Sequence, residues 1–480
     1  MSIQNYWQNY INGEWVDGGA GRLKVDNPSN GETLAEVALA NASDVDKAVQ
    51  AAKACHESRV LTDPRPVERG RMVRAMGDWL QANSEEICEV LTLEAGKPIW
   101  ESKIEVDGAI RYFEYYGNQA ETVEGRSIPL GADYYDFTVY EPFGVSAHII
   151  PWNFPLEMIA RSLSAALATG NACVIKTPEL TPLACTYFAQ AAEAAGFAPG
   201  AVNILCGHGA EAGAALTAHP DVNQIVFTGS VATGRHIATA AAQNLVPCVL
   251  ELGGKSAAIV YPDADIDNLM ESVRWGILFN AGQVCSAMSR LLVHESIHDE
   301  VMDALQSKIS TLQQMQGIEA TDLHQIGSMV SYGQRDRAAN LCQQALGDGA
   351  KLVTGGAESD LAGAYLRPTV FTGVTADMAI AREEVFGPVL AAMTFRDDAE
   401  AIALANSTDY GLVGGVFTRD ISRAMKAAQG IRAGQVFVNE WYAGGVETPF
   451  GGYGQSGYGR EKGREALWNY VQTKNIAIRI

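Results

Sequence analysis

The chain has 480 residues, 47% of them hydrophobic, and a formal net charge of −21 with no cluster of basic residues. This length predicts two or three domains, and the acidity argues against nucleic acid or an anionic membrane as a partner. The first residues lack the pattern of a signal peptide, no apolar run is long enough to span a bilayer, and the 8 cysteines are scattered, so we expect free thiols in a reducing cytoplasm.

Strand and helix patterns alternate along most of the chain. Apolar residues recur at helical spacing from residue 44 to 82, with Asp44 as the expected N-cap. Between 140 and 260, short apolar runs at 145–150, 172–176, 202–207 and 224–229 alternate with helical segments. A second alternating series covers 256–418, while 133–151 and the tail 470–480 are typical of strands. The pattern predicts an α/β fold with a parallel sheet covered by helices on both faces, a second α/β domain and a β-rich extension.

Two neighbouring strand ends carry groups suited to a dinucleotide. The run at 224–229 ends in Gly229 and is followed by Ser230 and a helix, whose N-terminus can bind phosphate. The run at 172–176 ends in Lys176, and Glu179 just beyond it can bind the hydroxyls of an adenosine ribose. Each feature alone is equally typical of an ordinary turn between strand and helix. Together they favour a dinucleotide site.

Three residues have the chemistry of a catalytic centre. Glu251 ends an apolar run, and apolar neighbours raise the pKa of a carboxyl group, which suits a general base; a pair with an unseen Lys or Arg is the structural alternative. Asn153 lies in a turn between prolines, where a rigid amide can stabilise an oxyanion or only shape the turn. Cys285 follows the turn-prone Asn-Ala-Gly-Gln instead of lying inside an apolar run, as a structural cysteine usually does.

Two motif matches lack the structural context that their chemistry needs. The segment HESIH at 294–298 matches a zinc protease signature, which requires both histidines on one helical face. Here the preceding residues predict a strand that ends at His294 and a helix that begins near Ser296, so His294 and His298 diverge; we expect no metal and keep a zinc hydrolase only as a remote alternative. The glycines of GYGQSG at 452–457 lie outside any strand-helix-strand unit.

The motifs PWNFP, KTPE, FTGSVATG, LELGGKS, FNAGQVCSA, EEVFGPV and PFGGYGQSGYGREKG, in this order, resemble those of the aldehyde dehydrogenase superfamily, in its hydrolytic, non-acylating form. The resemblance covers essentially the whole chain. It implies a doubly wound Rossmann-like cofactor domain (1–123 and 143–253), an α/β catalytic domain (254–455) and a small oligomerisation extension (124–142 and 465–480). The extension would pair subunits into a homodimer or homotetramer.

The resemblance also implies the roles of individual residues. Cys285 matches the nucleophile, whose surroundings must favour the thiolate, and Asn153 matches the oxyanion donor. Glu251 matches the base that activates water, and Glu461 matches a glutamate that relays protons. The residues matching the cofactor site are Trp152, Lys176, Glu179, Gly229, Ser230, Glu384 and Phe386. Glu179 would repel a ribose 2′-phosphate, so the expected cofactor is NAD rather than NADP.

The resemblance leaves the aldehyde substrate open. Glu251 favours release of a free carboxylic acid, because relatives that acylate coenzyme A lack this glutamate. Arg161 matches a position where succinic semialdehyde enzymes bind the substrate's carboxylate, but Phe279 stands where those enzymes have a second arginine. Trp441, Gly444 and Phe450 complete the expected substrate pocket, with the first two near its mouth. We expect a general or aromatic aldehyde, with a carboxylate-bearing semialdehyde as the alternative.

Overall fold

The computed structural model describes residues 3–356 and 359–480. The strands in this part of the chain are β1 (Tyr6–Trp7), β2 (Asn9–Ile11), β3 (Glu14–Val16), β4 (Arg22–Asp26), β5 (Thr33–Ala38), β6 (Ser127–Ile128), β7 (Tyr134–Pro142), β8 (Val145–Ile149), β9 (Ala172–Thr177), β10 (Val202–Cys206), β11 (Gln224–Thr228), β12 (Cys248–Glu251), β13 (Ala257–Val260), β14 (Arg290–His294), β15 (Gln313–Gln314), β16 (Gln325–Ile326), β17 (Lys351–Thr354), β18 (Thr369–Thr372), β19 (Val389–Phe395), β20 (Val413–Phe417), β21 (Gln435–Val438), β22 (Gly457–Tyr458) and β23 (Val471–Arg479).

The α-helices of the same residues are α1 (Ala42–Glu57), α2 (Pro66–Ala82), α3 (Ser84–Ala95), α4 (Ile99–Gln119), α5 (Pro155–Thr169), α6 (Tyr187–Ala194), α7 (Ala214–Ala218), α8 (Val231–Gln243), α9 (Ile266–Val273), α10 (His298–Ser310), α11 (Tyr332–Gly347), α12 (Ala379–Arg382), α13 (Asp398–Ala405) and α14 (Ile421–Gly430). None of these helices combines the length and the apolar character that crossing a membrane requires.

The first sheet has eight strands in the order β22-β12-β11-β8-β9-β10-β2-β3. The strands from β12 to β10 are parallel, and β22, β2 and β3 extend the edges in antiparallel fashion. The chain adds β9 and β10 on one side of β8 and then β11 and β12 on the other. The strand order therefore reverses between β8 and β11, which is where open α/β sheets bind ligands.

The second sheet has seven strands in the order β17-β18-β19-β14-β13-β20-β21. All neighbours are parallel except β17, which pairs antiparallel with β18 at one edge. A separate antiparallel sheet, β23-β7-β6, joins the C-terminal strand to residues 127–142, and β1, β5 and β4 form another small sheet. The predicted fold class, a doubly wound Rossmann-like domain and a second α/β domain with a small β-rich extension, is confirmed.

The candidate functional residues lie on two facing edges. They follow or end the strands of the first sheet at its carboxyl edge, and they precede the strands of the second sheet at its amino edge. At the first edge, Trp152 and Asn153 follow β8, Glu179 follows β9, Gly229 and Ser230 follow β11, and Glu251 ends β12; at the second, Cys285 precedes β14, and Glu384 and Phe386 precede β19.

Each large sheet has its own hydrophobic core, and a few side chains cross between the two. Phe154, which follows a strand of the first sheet, packs into the core of the second. Val446 and Tyr470, from the C-terminal part of the chain, pack into the core of the first. Because both cores include residues from distant parts of the sequence, the two facing edges are held together by packing as well as by hydrogen bonds.

Candidate active site

Cys285 lies in a tightly turned loop before β14. The chain passes through a π-helical turn at Arg274–Leu278 and a short 3-10 turn, in which Asn280 and Ala281 have left-handed φ angles of 48° and 50°. Such angles cost roughly 1 kcal/mol or more per residue outside glycine and concentrate at functional sites. The indole Nε1 of Trp441 donates to the Ser286 carbonyl at 3.2 Å. The loop is therefore fixed on both sides of the cysteine.

Buried charged side chains support this loop from below. The Oε2 atom of Glu101 accepts from the backbone N–H of Asn280 at 2.9 Å. Lys97 pairs with Glu105 at 2.6 Å, both side chains being almost fully buried, and its Nζ also donates to the Asn153 carbonyl at 2.8 Å. Breaking a buried pair of this kind costs about 3–5 kcal/mol. The strained loop and the Asn153 turn are thus both hydrogen-bonded to one buried group of charged side chains, Lys97, Glu101 and Glu105, which we call the polar layer.

The side-chain amide of Asn153 points to the cysteine loop. Its Nδ2 donates to the Gln283 carbonyl at 2.9 Å, and the Asn153 carbonyl accepts from Asn280 Nδ2 at 2.9 Å. An amide nitrogen has two N–H donors, and this bond uses one of them. The second N–H is left for another acceptor beside the loop, which is the requirement for an oxyanion donor.

The Cys285 thiol is partly exposed and lines a cavity of about 750 Å³. Burial raises its pKa to about 12; Arg161 opposes this shift, and the carboxyl groups of Glu384 and Glu251 add to it. In the protein chain by itself, burial therefore outweighs the one nearby cation and favours the protonated thiol. That the occupied site favours the thiolate stays a prediction.

Glu251, Arg161 and Glu461 form a buried charge cluster near the thiol. Glu251 is 1% exposed, and neither of its carboxylate oxygens has a hydrogen-bond partner in residues 3–356 and 359–480. Arg161 forms an ion pair with Glu461 and donates to Thr228 Oγ1 at 3.2 Å. Burial raises the pKa of Glu251 well above its ordinary value; Arg161 opposes this and Glu461 adds to it. Because one cation faces two buried carboxyl groups, the pKa of Glu461 is raised as well, and both groups hold a proton more tightly than an exposed carboxyl group does.

The five predicted pocket residues all line the same cavity as Cys285; they are Arg161, Phe279, Trp441, Gly444 and Phe450. Phe279 stacks on Phe154 with ring centroids 5.7 Å apart. Trp441 is only 3% exposed, so it lies beneath the cysteine loop. We expected it near the pocket mouth, and its burial contradicts that position. The guanidinium of Arg161 is already paired, so its charge is not available to a substrate.

Of the residues predicted to bind a cofactor, Lys176 and Glu179 form one group. Their side chains pair at 2.9 Å, with Glu179 still 34% exposed, and Gly209 N–H donates to Glu179 Oε1 at 2.7 Å. Lys176 is the main cause that lowers the pKa of Glu179 against the effect of burial. The sheet edge therefore presents a fixed, ionised carboxylate, which suits ribose hydroxyls.

Ser230 and Glu384 line a second cleft, of about 870 Å³. Ser230 caps the 13-residue helix α8 by accepting from Thr233 N–H at 3.2 Å, which leaves the helix N-terminus facing the cleft. Glu384 accepts from Gly254 N–H at 3.1 Å, and burial raises its pKa to about 7. Lys176 and Glu179 do not line this cleft.

The other three predicted cofactor residues lie along the facing edges. Gly229 donates its N–H to the Glu251 carbonyl at 3.0 Å, and a Cβ at this position would lie 2.5 Å from the Phe227 ring. Trp152 and Phe386 meet edge to face, with centroids 5.2 Å apart, and Phe386 has a left-handed φ of 56°. The close packing at Gly229 excludes any larger side chain.

The comparisons with known proteins agree with this geometry. The profile of the "Aldehyde dehydrogenase family" matches residues 15–476. The chain belongs to the aldehyde dehydrogenase family. An aldehyde dehydrogenase of Emericella nidulans is 40% identical over 98% of this chain and 95% of its own length, and human retinal dehydrogenase 2 is 39% identical over 99% and 92%. The NAD⁺ complex of an aldehyde dehydrogenase from Bacillus cereus superposes with a TM-score of 0.97 at 37% identity, covering 100% of this chain and 98% of that one.

As an aldehyde dehydrogenase the chain oxidises aldehydes, and the family resemblance inferred from the motifs is confirmed.

The two histidines of the zinc protease motif lie on different secondary-structure elements. His294 ends β14 and its Nε2 contacts the Arg396 carbonyl at 3.1 Å, while His298 begins α10 and its Nε2 contacts Thr372 Oγ1 at 2.7 Å. The predicted break between strand and helix separates the two imidazoles, and each has its own protein partner.

The sequence analysis missed several residues of the aldehyde dehydrogenase pocket. Glu157, Tyr442 and Lys462 line the cavity with Cys285. The Tyr442 hydroxyl lies 3.5 Å from Ser286 Oγ, and Glu157 accepts from the Tyr112 hydroxyl at 3.3 Å. Tyr442 directly follows Trp441, and Lys462 directly follows Glu461, so their positions were a usable signal.

Proposed function

We propose that the chain oxidises an aldehyde to the carboxylic acid with NAD, through a thioester on Cys285. The observation that carries this proposal is the position of the partly exposed Cys285 thiol: it lines a 750 Å³ cavity and lies within electrostatic reach of both Glu251 and Arg161. A nucleophile, a carboxyl base and a cation at one cavity are the parts that covalent acyl chemistry needs.

The residues at the facing edges fit a dinucleotide. The ionised, half-exposed Glu179 offers acceptors to a ribose, and the Ser230 end of α8 offers donors and a positive helix end to phosphate. NAD, when bound, accepts the hydride that the aldehyde carbon loses. Glu384 and Phe386 would hold the nicotinamide end, and Trp152 would lie beside the phosphates.

The residues of the chain supply the other steps. Ionised Glu251 takes the thiol proton of Cys285 as Sγ adds to the aldehyde carbon, and Glu461 passes that proton outward, which leaves Glu251 ionised again. The resulting oxyanion accepts hydrogen bonds from the second N–H of the Asn153 amide and from the Cys285 backbone N–H. After oxidation, Glu251 takes a proton from water as the water attacks the thioester. The raised pKa of Glu251 makes its ionised form a strong base. Glu461, held by Arg161, would pass that proton outward.

The cavity walls support an aromatic or general aldehyde as substrate. Eight aromatic side chains contribute to its lining, namely Tyr112, Phe154, Trp275, Phe279, Phe437, Trp441, Tyr442 and Phe450. Aromatic rings favour one another in stacked and edge-to-face pairs. The pairing of Arg161 with Glu461 removes the cation on which the semialdehyde alternative depended.

NADH formation at 340 nm with aliphatic, aromatic and ω-carboxy aldehydes tests the activity. We expect Cys285→Ala to abolish turnover, while Cys248→Ala, which alters another partly exposed free thiol, retains it. Glu251→Gln should accumulate a covalent adduct visible by mass spectrometry, and the exposed Glu295→Gln should not. Free turnover by Cys285→Ala or by Glu251→Gln would refute the assigned roles.

Cofactor preference and assembly are separate parts of the proposal. We expect kcat/KM at least tenfold higher with NAD than with NADP, because Glu179 would repel a 2′-phosphate; equal values would contradict this. We also propose a homodimer or homotetramer joined through the sheet β23-β7-β6, which exposes Tyr135 (64%) and Ile478 (45%). Light scattering after size-exclusion chromatography measures the mass, and a 51.3 kDa monomer would refute assembly.

A further inference from the structure

Three cationic side chains line the cavity that holds Cys285, and two of them are already paired. These three are Arg111, Arg161 and Lys462. Arg111 forms ion pairs with Glu114 and, at 3.2 Å, with Glu447. Arg161 is paired with Glu461. Neither guanidinium has its charge free for a ligand in the cavity.

Lys462 differs from both arginines. Within residues 3–356 and 359–480, its ammonium makes no hydrogen bond and no ion pair, although an ammonium has three donors. The side chain is half-buried, and its Nζ lies 6.0 Å from the centre of the Phe450 ring, which is a wall of the cavity. A half-buried cation with unused donors needs an acceptor, and the cavity is where that acceptor can lie.

The charged groups that face Lys462 are Glu157, Arg161 and Glu447. Glu157 accepts from the Tyr112 hydroxyl, and Glu447 is bridged by Arg111 at 3.2 Å, so both carboxylates have other partners. Burial is the main cause that lowers the pKa of Lys462; Arg161 adds to this shift, and Glu157 and Glu447 partly oppose it. These carboxylates thus compensate the lysine charge only in part, and neither forms a hydrogen bond or ion pair with its ammonium.

The backbone fixes the direction of this lysine. Lys462 has a left-handed φ of 60°, which is strained for any residue other than glycine. The two flanking residues hold it there: Glu461 exchanges two backbone hydrogen bonds with Phe450, at 2.6 and 2.8 Å, and Gly463 N–H donates to the Val446 carbonyl at 2.7 Å. A strained lysine held in place at the wall of a binding cavity suggests a role in that cavity.

We propose that Lys462 determines substrate specificity by binding a carboxylate at the far end of an aromatic aldehyde. This inference rests on the proposed function, because it requires that the aldehyde reach Cys285 through the same cavity. Phe279 lies between Phe154 and Trp275, at 5.7 and 5.8 Å, and offers ring faces and edges to an aryl group. The recognition of carboxylate-bearing aldehydes thus depends on Lys462 and not on Arg161.

Wild-type kinetics give the first test, by comparing 4-carboxybenzaldehyde with its methyl ester. The two substrates have the same ring and the same aldehyde, but only the acid carries a charge. We expect kcat/KM for the acid to exceed that for the ester about tenfold or more, chiefly through KM, which is the value of one charge-assisted hydrogen bond. An equal or better ester would overturn the inference.

The variants Lys462→Met and Lys462→Arg give the second test. Lys462→Met should reduce the ratio of acid to ester toward one, and Lys462→Arg should keep the acid preferred; the exposed Lys24→Met is the matched control and should leave the ratio unchanged. A ratio that Lys462→Met leaves intact would overturn the inference. Wild-type protein that oxidises neither compound nor any other aldehyde would refute the proposed function itself, which is a different result.

Discussion

The ion pair between Arg161 and Glu461 predicts a large coupling energy. Both side chains are nearly inaccessible, at 4% and 2%. Breaking such a pair costs about 3–5 kcal/mol, since it leaves a buried charge without compensation. Arg161→Leu should cost more than Glu461→Leu, because it leaves Glu461 and also removes the cation that faces Glu251. The double variant should lose at least about 2 kcal/mol less than the sum of the two single losses.

Urea and thermal unfolding followed by tryptophan fluorescence measure these losses. Unfolding entropy of roughly 2 cal/mol/K per residue gives about 1 kcal/mol/K for the chain, so Arg161→Leu should lower Tm by about 3–5 °C if all 480 residues unfold together. The exposed pair of Lys474 and Glu141 is the control, with an expected coupling of only about 0.2–1 kcal/mol. Losses at Arg161 and Glu461 that add within about 0.5 kcal/mol would refute the reasoning.

Three further outcomes follow from single groups. With the Cys285 pKa raised to about 12, alkylation of this residue by iodoacetamide, followed by mass spectrometry, should increase about tenfold per pH unit from 7 to 10; a plateau below pH 9 would contradict the shift. Trp441→Phe removes the hydrogen bond to the Ser286 carbonyl and should cost about 0.5–1.5 kcal/mol in urea unfolding and reduce kcat, whereas the exposed Trp468→Phe should do neither; equal behaviour would argue against it. Burial raises the pKa of Glu384 from 4.5 in the unfolded chain to about 7 in the folded one, so its ionisation destabilises the fold increasingly as the pH rises through this window. The stability of Glu384→Gln relative to wild type should therefore increase from about pH 5 to 8, by up to about 3 kcal/mol. A relative stability that decreases with pH would contradict the raised pKa.

The parallel strands were predictable from the sequence because they lie in the centre of the first sheet, where both of their faces are buried. The runs predicted at 145–150, 172–176, 202–207 and 224–229 correspond to β8, β9, β10 and β11, each within one residue at either end. Helices cover both faces of such strands, so their sequences are nearly continuous apolar runs that end where the chain turns. The positions of Glu179, Gly229 and Ser230 at the carboxyl edge follow from the same pattern.

The start of α1 was predicted incorrectly. Asn41, not Asp44, is the N-cap, and its side chain accepts from the N–H groups of Ser43 and Asp44. Asp44 is the third residue of the helix and accepts from Asn41 N–H at 3.1 Å and from Gly19 N–H at 2.7 Å. Asn and Asp are both common N-cap residues, and in a capping box the side chains of the N-cap and of the third helical residue each accept from the backbone of the other. The sequence alone therefore does not tell which of Asn41 and Asp44 is the N-cap.

The polar layer beneath Cys285 was not predictable from residue type. Glu101 and Glu105, four residues apart on the buried side of α4, would ordinarily be assigned to a solvent-exposed face. Their partners come from distant segments: Glu101 binds Asn280, and Glu105 binds Lys97 and the Leu156 N–H. In the sequence the only signal is that these charges fall in phase with the apolar residues of the same helix.

Arg161 and Lys462 show the limit of residue-by-residue transfer between relatives. A matching motif places a side chain at the cavity, but the charge that this side chain offers depends on its neighbours there. Arg161 is paired with Glu461, which is 300 positions away in the chain, while Lys462, directly after Glu461, has unused donors within residues 3–356 and 359–480. Glu461 thus forms an ion pair with Arg161, which lies near the Cys285 thiol, and the next residue, Lys462, has a left-handed φ and lines the same cavity. We therefore propose that the substrate preference depends on which of these two cations remains unpaired, and the comparison of acid with ester measures that directly.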